Sequence, residues 1–266
     1  MKNSSLLIDG KVYSKEASRV EEIYSELLSE KWKEKVMWES IRDGELTAVP
    51  CLVGKRFHSE SVKVMVVGRA VNGWEVEFED CSSLDATVNS VLTQKNCMDD
   101  FATDWVLDEN GKKYYYAKSP FLRMMRQLVG AFAGTEEDWQ QRLAWSNLFK
   151  IAPRHGKNPS WLMIRKNISL YCEIIKEEIN QNAPDIVVFV TDMNYFDPYP
   201  NHNTFSSFLS LMDMTNLCNI RSEYVCIAGD FIDNRNTKLV ACKRPEGRPI
   251  DKMIKDIVNA YNELKI

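Results

Sequence analysis

The chain has 266 residues, of which 44% are hydrophobic and 27% are charged, and its formal net charge is -4. This length and apolar content are typical of one large globular domain with additions. No stretch approaches the ~18 consecutive apolar residues of a membrane helix, so we expect a soluble, cytoplasmic protein that does not bind membranes. The acidic balance lacks the basic signature of many nucleic-acid binders, although it leaves room for a local cationic patch.

The first 60 residues predict a helical extension in front of the main domain. Apolar side chains recur at helical spacing between Ser14 and Val36, with charged residues on the other faces, which indicates an amphipathic surface helix. We expect this helix to pack on the core, and docking into the groove of a partner protein is the alternative. The chain therefore divides into an extension, residues 1–60, and an α/β domain, residues 61–266.

A buried strand followed by a glycine-containing loop is predicted near Val64. Four apolar residues lead into Gly68, and Gly73 follows after four intervening residues. Glycines at these positions let backbone N–H groups approach a ligand closely. The loop lacks the Lys-Ser/Thr of a phosphate-binding P-loop and the spacing of a dinucleotide fold, so both of these phosphate-binding classes are disfavoured.

The stretch from Glu75 to Lys118 is interpreted as a loop-plus-hairpin insertion near the site, because Asn110-Gly111 lies between two strand-like runs. Ser119 and Pro120 then form an N-cap and first-turn pair. The helix that they predict carries an inward stripe of Phe121, Met124, Met125, Leu128 and Val129. Such a stripe of Met and aromatic side chains favours core packing over a ligand cage.

The segment from Ser146 to Ser160 is the strongest candidate for a site. Apolar residues alternate with Asn147 and Lys150, and a loop rich in proline, glycine and asparagine follows, as expected of a strand that ends in a binding site. The Asn147 amide offers a donor and an acceptor for the edge of a nucleobase, and Lys150 and Arg154 add positive charge. The alternative is an asparagine that caps a turn and two solvated cations.

The rest of the chain alternates between helices and apolar runs. Helices are predicted from Trp161 to Asn180 and from Ile250 to Leu264. The apolar runs, which we expect to be parallel neighbours in one sheet, begin near Val64, Leu143, Ile186 and Leu239. This order indicates a doubly wound three-layer α/β sandwich with a central parallel sheet.

Ligands bind such folds at the carboxyl ends of the strands. The polar or flexible positions that fall there are Gly68, Asn147, Thr191 and the pair Lys243-Arg244. Trp74 and Phe149 are candidates for stacking on a base, with core packing as the alternative for Phe149. A phosphate-facing rim, for which ordinary solvation is the alternative, is predicted from Lys150, Arg154, Lys157, Lys243, Arg244, Arg248 and Lys252.

These segments resemble the uracil-DNA glycosylase superfamily, and its iron-sulfur branch most closely. There the first motif reads Gly-Glu-Ala-Pro-Gly-x-x-Glu, and residues 68–75 here read Gly-Arg-Ala-Val-Asn-Gly-Trp-Glu. A later family strand reads Thr-Asn-Val-Val-Lys-Cys-Arg-Pro-Pro-Gly-Asn-Arg-x-Pro, and residues 146–159 keep its Asn, Lys, Pro, Gly, Asn and Pro in order. Residues 184–191 are similar to the family's Pro-x-hydrophobic strand, and residues 239–249 occupy the place of its final His-Pro-Ser motif.

The resemblance spans about residues 61–264. It implies a glycosylase-like fold and, as partner, a nucleobase, nucleotide or nucleic acid that is single-stranded or presents a flipped base. The residues that it assigns to base or nucleotide binding are Gly68, Arg69, Ala70, Asn72, Gly73, Trp74, Asn147, Phe149, Lys150, Thr191, Lys243 and Pro245.

Departures from the family motifs bear on catalysis. Family members carry Asp, Asn or Glu shortly after the first glycine, where this chain has Arg69 and Ala70, and their histidine falls at Arg244. Glu75 and Arg244 remain as the candidate catalytic pair, and an arginine cannot shuttle a proton at neutral pH. We therefore expect a binding protein with weak or no base excision. The alternative is an active DNA glycosylase or nucleoside hydrolase, with a role in DNA repair and a non-standard catalytic pair.

No cofactor or bound metal is expected. The seven cysteines contain no Cys-x-x-Cys, and the family's cysteine after the lysine falls at Ile151. The three histidines, His58, His155 and His202, have no metal-ligand spacing. Most of the cysteines are expected to be reduced thiols in the core.

Overall fold

A computed structural model gives the fold of the chain. The residues that it describes are 7–8, 11–12, 19, 22–24, 46–48, 51–70, 105–107, 113–115, 119–153, 158–196, 208–218, 220, 222–231 and 236–265. Within these ranges the protein is α/β, with a seven-stranded mixed sheet and helices on both of its faces.

The elements are numbered in chain order. The strands are β1 (Leu7–Ile8), β2 (Lys11–Val12), β3 (Leu46–Ala48), β4 (Leu52–Val53), β5 (Val64–Ala70), β6 (Trp105–Leu107), β7 (Lys113–Tyr115), β8 (Leu143–Phe149), β9 (Ile151–Pro153), β10 (Ile186–Val190), β11 (Met214–Cys218), β12 (Val225–Phe231) and β13 (Lys238–Cys242). The helices are α1 (Pro120–Ala133), α2 (Trp161–Asn182), α3 (Met193–Phe196), α4 (Phe208–Leu211) and α5 (Ile250–Glu263).

The main sheet has the strand order β11-β12-β13-β10-β5-β8-β4. Its centre is parallel, because β10 pairs in parallel with β13 and β5, and β5 pairs in parallel with β8. Strands β4, β12 and β11 add antiparallel edges. The parallel strands begin at Val64, Leu143, Ile186 and Lys238, so the predicted set of parallel neighbours is confirmed.

The long helices begin where their sequences predict. The hydroxyl of Ser119 accepts a hydrogen bond from the Leu122 backbone, and Pro120 occupies the first turn of α1. Ser160 caps α2 in the same way through Met163. These caps satisfy backbone N–H groups that have no partner within the helix.

Side-chain alternation along the central strands builds a core on each face of the sheet. Val64 and Val66 pack with residues of α1 and α5, and Met65 and Val67 pack with residues of α2. We call these two sides of the sheet the α1 side and the α2 side. The helices therefore cover the sheet from both sides, and the carboxyl ends of the parallel strands form one shared edge.

The N-terminal region is joined to the sheet more closely than the expected boundary at residue 60 implies. Strand β4 pairs with β8, and β3 pairs with β9, so residues 46–53 already contribute strands. Of the helix predicted between Ser14 and Val36, the structure describes Arg19 and residues 22–24, which are helical. Ile23 and Tyr24 are buried in the core of the α2 side.

The predicted hairpin is confirmed by the antiparallel pairing of Trp105 with Tyr115 between β6 and β7. Its Asn110-Gly111 turn lies outside the described residues. Among the helices that the structure describes, none combines the length and the apolar character needed to cross a membrane.

Candidate functional site

Gly68 and Asn147 lie side by side at the carboxyl edge of the sheet. They are register partners on β5 and β8, so their side-chain positions are on the same face. Val66 and Trp145, two residues earlier on these strands, pack in the core of the α1 side. Alternation therefore directs Asn147 toward α1.

The absence of a side chain at Gly68 leaves room for the Asn147 amide. A Cβ atom on residue 68 would lie 2.6 Å from Oδ1 of Asn147 and 3.2 Å from Cζ of Phe121. The first distance is shorter than non-bonded atoms tolerate. A glycine at this position thus lets a polar amide and an aromatic ring meet beside the backbone of β5.

Asn147 is 3% exposed. Among the described residues, neither of its amide atoms belongs to the fully buried side-chain atoms that lack a hydrogen-bond partner. The amide offers a donor and an acceptor at this edge, which makes Asn147 a candidate for binding a group that enters there.

Phe121 is a candidate site residue that the sequence did not indicate. It lies in the first turn of α1 and is only partly buried, and its ring centroid is 5.7 Å from that of Trp145. The sequence placed Phe121 in an inward apolar stripe, which its helical spacing alone supports. One signal was available in the sequence. Phe121 follows the Ser119-Pro120 cap directly, and a helix that runs antiparallel to the strands begins at their carboxyl edge, where ligands bind.

The placement of Phe149 corrects the expectation that it stacks on a base. Phe149 is fully buried on the α2 side, with its ring centroid 6.1 Å from those of Tyr171 and Phe208. Side chains along β8 alternate between the two sides of the sheet up to Leu148. Phe149 departs from this alternation, since Leu148 and Phe149 both belong to the core of the α2 side. Phe149 is a packing residue, which was the alternative interpretation.

Lys150 is also placed differently from the expected phosphate-facing rim. It is 0% exposed, and its Nζ atom lies 2.6 Å from Oε2 of Glu178 on α2. The Ser146 hydroxyl donates to the same carboxylate, and the Cys51 backbone N–H donates to its other oxygen. Burial, reinforced by the Glu178 carboxylate, raises the pKa of the Cys51 thiol. The Lys150 charge thus neutralises a buried carboxylate.

The loop after β13 is anchored to the end of β10. The Arg244 backbone N–H donates a 2.9 Å hydrogen bond to Oδ1 of Asp192, and the Arg248 guanidinium donates to the Arg244 carbonyl. Asp192 has a left-handed backbone with φ of 61°. The Arg244 side chain forms an ion pair with Glu246. This network fixes the loop and engages the arginine that was predicted to stabilise a leaving group.

The remaining candidates follow the same edge. Thr191 is fully buried, and its hydroxyl has no hydrogen-bond partner in the described part of the chain. Lys243 is partly buried and Pro245 is buried beyond the end of β13. Because β10 and β5 separate β13 from β8, the last loop begins about 14 Å from Asn147 along the edge. The structure therefore joins Gly68 with Asn147 and sets Arg244 well apart from them.

The rest of the first motif is described only in part. Arg69 is partly buried at the end of β5, and Ala70 is described by its backbone alone. The proposed binding residues Asn72, Gly73 and Trp74 and the candidate catalytic residue Glu75 lie outside the described residues. The same holds for the rim residues Arg154 and Lys157.

Comparisons with known proteins do not add a relative. No protein-family model matches the chain, and no curated protein matches it. In the described ranges, no group of three or more His, Cys, Asp or Glu side chains is arranged to hold a metal ion. The chemistry of the site must therefore be inferred from Gly68, Phe121, Asn147 and the groups along the same edge.

Proposed function

We propose that the protein is a divergent relative of the uracil-DNA glycosylases that binds a nucleobase, as a free nucleotide or within a nucleic acid, and has weak or no base-excision activity. The observation that carries this proposal is the buried Asn147 amide beside Gly68 and the Phe121 ring. The parallel sheet supports it too, because ligands of such folds bind at the carboxyl edge.

Each of the three residues has a distinct role in this proposal. The Asn147 amide pairs with the donor and acceptor atoms on the edge of the base. The Phe121 ring stacks on the face of the base, an interaction worth about 1–3 kcal/mol per base. Gly68 keeps the side-chain space between them open. Lys243, further along the edge, supplies positive charge for a phosphate. The Arg248 guanidinium lies 3.8 Å from the Asp192 carboxylate and is engaged there.

The proposed lack of efficient excision rests on two observations. Arg244 is tied to Glu246 through its side chain and to Asp192 through its backbone. The first-motif positions directly after Gly68 are Arg69 and Ala70, neither of which can activate water as a carboxylate does.

Calorimetry with a panel of free bases and nucleosides tests base binding. Asn147→Ala is expected to weaken binding of the preferred base by about 1–3 kcal/mol, because a polar group on the ligand loses its hydrogen-bond partner. Phe121→Leu is expected to weaken it by a similar amount, because the stacking ring is lost. Thermal unfolding should change little for Asn147→Ala.

Asn167→Ala is the matched control. Asn167 is another buried asparagine, and its amide donates a 2.7 Å hydrogen bond to the Met163 carbonyl within α2. This variant should lose stability and retain base affinity. Base affinity that is unchanged in Asn147→Ala, or lost equally in Asn167→Ala, would contradict the proposed site.

A further inference from the structure

Three buried polar side chains near the carboxyl edge each carry an atom that has no hydrogen-bond partner among the described residues. These atoms are Oδ1 of Asn167, the hydroxyl oxygen of Tyr171 and Oγ1 of Thr191. The exposed fraction is 1% for Asn167 and 0% for Tyr171 and Thr191. Such atoms are unfavourable to folding and are rare in native proteins. We call these three residues the Tyr171 cluster.

Asn167 and Tyr171 lie one turn apart on the face of α2 that packs on the sheet. Helical side chains lean toward the N-terminus of their helix, so the Tyr171 ring extends over the turn that contains Asn167. The Asn167 amide leans the same way, because its Nδ2 atom donates to the Met163 carbonyl. Since α2 follows β8 and leads into β10, its N-terminus lies toward the carboxyl edge of the sheet. Both unpartnered atoms are therefore directed toward that edge.

Thr191 reaches the same side of the sheet from the end of β10. Phe189 belongs to the core of the α2 side and Val190 to that of the α1 side, so alternation directs Thr191 toward α2. Strand β5 separates β10 from β8, which places Thr191 about 10 Å from the end of β8. There the Phe149 ring packs against that of Tyr171. The Tyr171 cluster thus gathers at one end of the α2-side core.

The hydrogen-bonding chemistry of the Tyr171 cluster selects the ligand. Oδ1 of Asn167 only accepts hydrogen bonds, whereas the hydroxyls of Tyr171 and Thr191 can donate. One amide group satisfies all three atoms, because its N–H donates to Asn167 and its carbonyl oxygen accepts from both hydroxyls. Water or a single hydroxyl group would match the cluster less specifically.

The surroundings of the Tyr171 cluster favour a neutral, flat ligand. The Phe149 ring centroid lies 6.1 Å from those of Tyr171 and Phe208, so aromatic rings line this end of the core. The charges of Lys150 and Glu178 on this side neutralise each other. Burial raises the pKa of the Tyr171 hydroxyl, which therefore stays protonated and able to donate. A charged ligand would be buried here without a counter-charge.

We propose that the Tyr171 cluster is the recognition point of a second binding site, which takes the amide group of a small neutral aromatic carboxamide. A carboxylate of the same shape is excluded by its charge, and a ketone leaves Asn167 without a donor. The site is distinct from the proposed base site, because Asn147 faces α1 on the other side of the sheet.

Calorimetry of the full chain with benzamide tests this site. Benzamide should bind with a millimolar or lower dissociation constant. Acetophenone, in which a methyl group replaces the amide nitrogen, should bind at least about 3-fold more weakly, since it has no N–H for Asn167. Benzoate should not bind detectably. Acetophenone that binds as tightly as benzamide would overturn the proposal, and so would the absence of benzamide binding.

Tyr171→Phe and Thr191→Val each remove one hydroxyl and keep the shape of the side chain. Each should weaken benzamide binding by about 3- to 10-fold, the value of one hydrogen bond. The free proteins should be as stable as the wild type or more stable, because a buried hydroxyl without a partner is removed. Tyr261→Phe, in the core of the α1 side, should leave benzamide affinity unchanged.

Two results with these variants would contradict the second site. One is wild-type benzamide affinity in both Tyr171→Phe and Thr191→Val. The other is a marked loss of thermal stability in Tyr171→Phe, which would show that its hydroxyl already has a partner within the protein.

The base site and the second site fail in different ways. If benzamide binding depends on Tyr171 while Asn147→Ala leaves nucleobase affinity unchanged, the Tyr171 cluster stands and the base site is wrong. If nucleobases bind through Asn147 while benzamide does not bind, the base site stands and the second site is wrong.

Discussion

The side-chain oxygen of Asn147 lies where the side chain of any residue larger than glycine at position 68 would be, since a Cβ atom on Gly68 would lie 2.6 Å from it. The two residues are partners on neighbouring parallel strands. A glycine is therefore needed here for side-chain space.

Gly68→Ala should reduce nucleobase affinity by at least about tenfold, because the new methyl group displaces the Asn147 amide or the Phe121 ring. We expect a stability loss of about 1–3 kcal/mol from the crowding. Calorimetry and urea unfolding measure the two effects. Gly130→Ala on α1 is the control, because the three atoms nearest to its Cβ would all belong to the side chain of Glu136. Full affinity in Gly68→Ala would argue that no ligand uses Asn147.

Removal of the buried Lys150 charge should destabilise the fold. Lys150→Met leaves the Glu178 carboxylate buried without its cation, for which we expect a loss of about 3–5 kcal/mol in urea unfolding. Lys150→Met/Glu178→Gln should recover much of this loss, because no net charge remains buried. Glu136→Gln, which breaks a pair with Arg126 whose side chains are 42% exposed, should change stability by less than about 1 kcal/mol. A phosphate-binding Lys150 would instead show normal stability and weaker ligand binding.

The protein should lose stability in alkaline solution. Burial raises the pKa of the Cys172 thiol from 9.0 to about 12. Between these values the unfolded chain releases this proton while the folded protein keeps it, so the free energy of unfolding falls as pH rises. Each such group contributes a slope of up to about 1.4 kcal/mol per pH unit. Urea unfolding from about pH 9 to about pH 11 should show a shallower decline for Cys172→Ala than for the wild-type protein.

The same direction holds for two other thiols, because burial also raises the pKa of Cys51 and of Cys242. Part of the alkaline decline should therefore persist in Cys172→Ala. An identical decline in both proteins would show that Cys172 does not contribute.

Uracil excision should be weak or absent. General-base catalysis and leaving-group stabilisation are each worth on the order of 100-fold or more. The positions that resemble the glycosylase motifs lack the residues that perform these two tasks in uracil-DNA glycosylases. Single-turnover assays on uracil-containing single- and double-stranded oligonucleotides measure this directly. Rapid excision that Glu75→Gln or Arg244→Ala abolishes would refute the non-catalytic proposal and identify a new catalytic pair.

The sheet was predictable because its signals are local. The apolar runs around Val64 and Ile186 have the length and flanks of buried strands, and the Ser119-Pro120 and Ser160 caps mark helix starts through interactions within a few residues. The order of these elements then limited the topology to a central parallel sheet.

The composition of the site was less predictable because it depends on contacts between distant residues. Lys150 is read from the sequence as a surface cation, but Glu178, which is 28 residues away, neutralises it. Phe121 becomes a candidate only because Gly68 lies beside it in the folded protein. The order of the strands predicted Gly68 and Asn147 as neighbours, and their register confirms this. The resemblance to the glycosylases and the roles of Trp74 and Glu75 stay predictions.

The side chains of β8 point to two different sides of the sheet. Ser146 and Lys150 join the ionic cluster around Glu178, and Asn147 lies beside Gly68 and faces α1. Substitutions at position 147 should therefore leave the charges that hold β8 to α2 undisturbed. On the proposal that Asn147 binds the ligand, specificity can change at this one position while its neighbours preserve the fold.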